Sequence, residues 1–186
     1  MQKNKNRWSV KVLVFMSLLV AMHLILTRII AVDIGPYRIS VGSVCTILAG
    51  LWFGPVAGGC CGLAADLLGC FMKGYAINPL ITLAAVLWGV IPALMKPIYA
   101  NFKTSGKTVG IVVSIIISNI ICSFVLTTLG LVWIQGYSFI AILPGRIAQL
   151  VFNIPLYSIL TCMIYYSQIT QLIYNNIHNV KGSVAR

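Results

Sequence analysis

The chain has 186 residues, 60% of them hydrophobic and 8% charged. A soluble domain of this size cannot hide so much apolar surface, so the bilayer is the expected solvent and a separate soluble domain is excluded by arithmetic. Thirteen Lys and Arg stand against two acidic residues, a net charge of +11; in a membrane chain the positive-inside rule explains such an excess before nucleic acid does.

At about 20 residues per span there is room for roughly six helices, which predicts an all-α bundle forming a single membrane domain over residues 1–186. The basic N-terminus (Lys3, Lys5, Arg7, Lys11) leads into an apolar run without a small-residue cleavage site. It reads as a retained first helix over about 9–31 rather than a signal peptide. A loop with Asp33, Gly35, Pro36 and Arg38 follows, and a second helix spans about 41–53. Gly54-Pro55 breaks it, and a third helix lined with small residues covers about 56–71. A short loop carries Lys73 and Tyr75. Asn78-Pro79 forms a cap and first-turn pair for a fourth helix over about 78–99. A basic loop, Asn101 to Lys107, leads to a fifth helix (about 108–134) and a sixth (about 139–166).

Six spans return the C-terminus to the side of the N-terminus. With both termini cytoplasmic, the inside holds Lys3, Lys5, Arg7, Lys11, Lys96, Lys103, Lys107, Lys181 and Arg186, nine of the thirteen cations. Arg28, Arg38, Lys73 and Arg146 remain outside, from four parts of the chain on one face of the membrane. Snorkelling to lipid phosphates is one explanation; a shared anion site is the other. For Arg146 the second has support, because Arg146, Gln149 and Asn153 fall at i, i+3 and i+7, one helical face that would be costly against lipid. Asn119, Ser123 and Thr127 form a weaker stripe, and His23 reads as a hydrogen-bonded buried histidine.

Asp66 is the residue most in need of a reason. A carboxylate at membrane depth costs about 2.5–3.5 kcal/mol on insertion scales, so it requires a cation, several donors or a ligand. Both an arginine partner and a ligand-facing role stay open. Gly58, Gly62 and Gly69 on the same helix fit close helix packing. The six cysteines lie inside apolar segments without metal-ligand spacing, which makes them packing thiols.

Catalytic chemistry finds no foothold. Gly106-Lys107-Thr108 lacks the glycine and strand of a phosphate-binding loop, and no carboxylate cluster, HExxH pair or cofactor motif occurs. Two aspartates are also a thin supply for ion coupling. A vectorial process would draw its energy from a partner.

The stretch Ala49-Gly50-Leu51-Trp52-Phe53-Gly54-Pro55, followed by Gly62-Leu63-Ala64-Ala65-Asp66-Leu67-Leu68-Gly69, resembles the substrate-binding S components of energy-coupling factor (ECF) vitamin transporters, over about residues 10 to 170. Arg38-Ile39-Ser40 and Pro144-Gly145-Arg146-Ile147-Ala148-Gln149 make it most similar to the folate-specific branch. The resemblance implies a bacterial plasma-membrane protein that captures a vitamin outside. It would deliver the vitamin through a transmembrane coupling protein (EcfT-like) and two cytoplasmic ATPases (EcfA-like), needing no cofactor of its own. Folate would engage Asp66 through its pterin and Arg28, Arg38, Lys73 or Arg146 through its glutamate tail. Trp52, Tyr75 and Trp88 are the aromatics available to the rings, and Gln149, Asn153 and Thr82 are further polar contacts. The small pairs Ser17/Ala21 and Ala85/Gly89 are candidate contacts for the coupling protein, or for packing within the chain. Another vitamin (hydroxymethylpyrimidine, riboflavin) or a stand-alone facilitator are the competing readings.

Overall fold

The computed structural model describes residues 10–29, 31–34, 37–173 and 175. Among these described residues, five helices are long and apolar enough to cross a membrane: α1 (Val10–Ile29), α3 (Pro55–Lys73), α4 (Pro79–Tyr99), α5 (Thr104–Gln135) and α6 (Phe139–Tyr165). Between α1 and α3 lies α2 (Ser43–Phe53), an 11-residue helix. At 1.5 Å per residue it rises about 17 Å, short of the roughly 30 Å of a hydrocarbon core.

Two expectations need correcting at the ends of helices. Asp33 and Arg38, read as loop residues, lie in two short strands, β1 (Val32–Ile34) and β2 (Tyr37–Ile39), paired antiparallel with Asp33 opposite Arg38; Gly35 and Pro36 are outside the described residues. The alternation Val-Asp-Ile and Tyr-Arg-Ile has the period of two that a strand adopts, too short here to stand out beside six apolar helices. The helix α5 also starts at Thr104, four residues earlier than expected, so most of the basic loop before it is helical.

Alone among the helices, α2 is buried from Val44 to Trp52. A helix apolar on all sides belongs in a core, and Ile47, Leu51, Ile111, Ile115 and Ile142 fill that core at under 2% exposure. The surrounding helices turn Val14, Ile29, Val56, Phe71, Ile98, Ile140 and Val151 outward. In water such a surface would aggregate; in a bilayer it is the solvated face. Cys45, Cys61 and Cys122 pack in the interior, as small apolar thiols do.

The α2–α3 joint follows from two residues. Gly54 adopts φ +97°, a backbone conformation that side chains disfavour, and Pro55 opens α3. Because proline has no N–H, the carbonyl of Leu51 loses its helical donor; Lys96 Nζ donates to it at 2.5 Å. Lys96, a topology charge by sequence, therefore also closes the end of a buried helix.

Glycines set how closely α2, α3 and α4 approach. A Cβ on Gly58 would lie 2.7 Å from Gly50 Cα and 2.7 Å from the Gly89 carbonyl oxygen, and one on Gly62 2.1 Å from the Ala85 carbonyl oxygen. Backbone cannot yield as a side chain can. Gly58→Ala is expected to cost about 1–3 kcal/mol through overpacking, read as a lowered Tm of the purified protein in detergent. The same contacts bear on the two readings left open for α4. Ala85 and Gly89 are spent on packing within the chain, whereas Ser17 and Ala21 lie exposed on α1.

Candidate ligand cavity

All six helices, with Ser40 just after β2, line a cavity of about 530 Å³, within the range of small-molecule sites. Of the expected residues, Arg28, Asp66, Tyr75, Trp88, Arg146, Gln149 and Asn153 line it. Trp52 and Lys73 are placed elsewhere, and Arg38 is described only by its backbone. Trp52 is 9% exposed in the core, edge-on to Phe53 at 6.3 Å, with Phe53 stacked on Phe15; it belongs to the packing around Gly54. Lys73 stands exposed in the last turn of α3, outside the cavity lining. The backbone of Arg38 lies in β2, and its side chain is outside the described residues.

Asp66 reaches the cavity from the middle of α3. Its Oδ2 accepts from the Thr82 hydroxyl at 2.7 Å, and among the described residues it has no ion pair. Of the two explanations for a carboxylate at this depth, an arginine partner is thus not realised in this conformation. Thr82 sits where Asn78 starts α4: the Asn78 side chain accepts from Leu80 N and Ile81 N and donates to the Gly130 carbonyl at 2.8 Å. One capping residue therefore ties α4 to α5 beside Asp66.

Arg28 and Arg146 bring positive charge from opposite sides of the sequence. Arg28 lies in a π-helical turn, Ile25–Ile29, and its guanidinium covers Gly69; a Cβ there would fall 2.3 Å from Nη2. Gly69, read from sequence as helix packing, makes room for this arginine. Arg146 is 5% exposed, and its Nη1 donates to Gln149 Oε1 at 3.0 Å, which confirms the i, i+3 part of the stripe. Asn153, two turns along, is 2% exposed, and its Oδ1 is buried without a hydrogen-bond partner. An orphaned acceptor in a cavity wall is an invitation to a donor.

The weaker stripe divides. Ser123 and Thr127 line the cavity from a nine-residue π-helical segment, Asn119–Thr127, and Thr127 Oγ1 donates to the Cys122 carbonyl. Asn119 is fully buried and outside the lining. π-Helical turns are rare and gather at functional sites; here two of them supply cavity residues. His23 meets its expectation of a hydrogen-bonded histidine, with Nδ1 2.9 Å from Thr46 Oγ1, and it also faces the cavity. Tyr157 was missed. It meets Trp88 edge-to-face at 5.4 Å and 77°, making an aromatic corner in the wall. Its place four residues after Asn153 was the available signal.

The cavity thus presents one carboxylate held by a neutral hydroxyl, two guanidinium groups, an orphaned amide oxygen and an aromatic corner. Comparison with known proteins gives that chemistry a context. The chain is 27% identical over 145 residues to the folate transporter FolT of Clostridium novyi, covering 77% of this chain and 76% of that one. Among solved structures it is similar to FolT bound with folic acid, with a TM-score of 0.70 at 24% identity, covering 83% of this chain and 92% of that one. It is also similar to ThiT from Listeria monocytogenes, with a TM-score of 0.62 at 20% identity over 88% and 93% of the two chains. Residues 11–165 match the model of the ECF transporter substrate-specific component. The chain therefore belongs to the family of substrate-specific components of ECF transporters.

Proposed function

We propose that this S component binds folate and hands it to an EcfT-like coupling protein powered by two EcfA-like ATPases. The observation that carries the folate reading is the pairing of one carboxylate with two arginines around a single cavity. Folate is complementary to that set. Its pterin edge offers paired N–H donors to Asp66, its flat rings suit the Trp88–Tyr157 corner, and its glutamate tail carries two carboxylates for Arg28 and Arg146. Riboflavin and hydroxymethylpyrimidine carry no carboxylate, so either would leave both guanidinium groups facing a neutral ligand. The relative named for folate supports the same choice.

In this reading the chain is a single integral unit of six spans in a bacterial plasma membrane, with both termini cytoplasmic. The hairpin and α2 together make the second crossing. Arg28 and Arg146 then share the outer half of the bundle with the cavity, and Ser17 and Ala21 on α1 remain available to the coupling protein. Lys73 and Arg38 stand as further outer cations that can draw an anionic vitamin toward the cavity. The chain hydrolyses nothing itself.

Reconstitution tests this division of labour. The purified chain alone in liposomes should bind folate without accumulating it. Adding coupling protein and ATPases with internal ATP should start uptake. Uptake by the chain alone would favour a stand-alone facilitator.

A further inference from the structure

We infer that Tyr157 is a positioning residue through which the aromatic corner of the cavity and the strand hairpin hold one another in place. Resting on the folate reading, the proposal adds a residue that neither the family nor its relatives' names assign. Tyr157 is 4% exposed and lines the cavity, so its ring forms part of the surface a ligand touches. Its edge-to-face contact with Trp88 sets the ring plane from α4. The hydroxyl leaves the aromatic corner altogether. It donates to the main-chain carbonyl of Ser40 at 2.8 Å, across 117 residues of sequence.

Ser40 directly follows β2 and precedes α2 by three residues, and it too lines the cavity. It sits in the connection where hairpin becomes helix, outside both the strand ladder and the helical bonds. Backbone carbonyls there need a partner from elsewhere. Tyr157 supplies it. One rigid side chain therefore spans from a ligand-contacting ring to the base of the hairpin that carries Arg38. A flat ligand ring against Trp88 and Tyr157 restricts the tyrosine, and the restricted tyrosine restricts Ser40. By reciprocity, an anchored Ser40 slows release of the ligand.

Tyr157→Phe separates the two ends of this side chain, because it keeps the ring and removes the hydroxyl. In the full chain in detergent, folate should dissociate about five- to tenfold faster while its association rate changes less than twofold. One neutral hydrogen bond sets the ceiling on that change, because the bond affects release only as far as folate tightens it. Hydrogen exchange across residues 37–42 should quicken in the same variant, with and without folate. Equal acceleration of peptides throughout the bundle would show general loosening and overturn the proposal, as would unchanged release and unchanged exchange. Thr108→Val, which removes the distant hydroxyl contact with Tyr166, serves as the control and should leave both readouts at wild-type values. If the wild-type chain fails to bind folate, the folate reading falls, and the ligand-free exchange comparison still decides whether Tyr157 holds the hairpin.

Discussion

Asp66→Asn should weaken folate binding about a hundredfold while leaving the protein as stable as before, or more so. The asparagine keeps the shape of the side chain and an oxygen that can accept from the Thr82 hydroxyl, which now lies 2.7 Å from Oδ2. What it loses is the charge, and with it a paired acceptor for the donor edge of a pterin. Hydrogen bonds to a charged group contribute about 1.5–3 kcal/mol each, and about 2.7 kcal/mol corresponds to a hundredfold in Kd. Stability should move the other way, because a neutral amide at this depth is less costly to keep from water than a carboxylate. Loss of affinity with gain of Tm marks a residue held for the ligand. A lowered Tm with unchanged affinity would make Asp66 structural. Binding by calorimetry and thermal unfolding of the same preparations read both.

Arg146→Met should reduce folate affinity about thirtyfold, and the choice of ligand tells where the arginine acts. The guanidinium is 5% exposed, aimed by its bond to Gln149 and set on the same helical face as Asn153. Methionine preserves the apolar stem and removes the fork that matches a carboxylate. If Arg146 meets the glutamate tail, pteroate, which lacks that tail, should bind wild type and variant within about twofold of each other. Equal loss for folate and pteroate, with Tm unchanged, would place Arg146 on the part the two ligands share, the pterin or the benzoyl group, instead of the tail. No loss for either would remove it from the site. The contrast between two ligands cancels any general damage to the fold, which would weaken both.

Much of this was legible in the sequence, because the bilayer simplifies the problem. An apolar surface needs no hiding, so hydropathy locates the helices, and a polar residue inside one needs a reason. Asp66, Arg146, Gln149 and Asn153 were found that way, and all four line the cavity. The same logic failed where a polar or aromatic group has two good uses. Trp52 is as suited to a core corner as to a stacking surface, and only the neighbours Phe15 and Phe53 decide between them. Gly89 fits an outer contact as well as an inner one until Gly50 and Gly58 are seen against it. Lys73 has the right charge but stands exposed at the end of α3, outside the lining. Tyr157 sits one turn after Asn153, a signal that places it on the cavity face, but its bond to Ser40, 117 residues away, is reported by no local pattern. The π-helical turns under Arg28 and Ser123 are likewise invisible to a period of 3.6.

The glycines of α3 now have separate duties. Gly54 turns the chain, Gly58 and Gly62 admit α4, and Gly69 admits the guanidinium of Arg28. With those accounted for, Asp66 remains the residue that packing does not explain. The most direct measurement is mass spectrometry of the small molecules that co-purify with the chain from folate-containing medium. Folate at close to one equivalent, falling away in Asp66→Asn, is the outcome expected here. A neutral vitamin in its place, or folate retained in full by the variant, would contradict it.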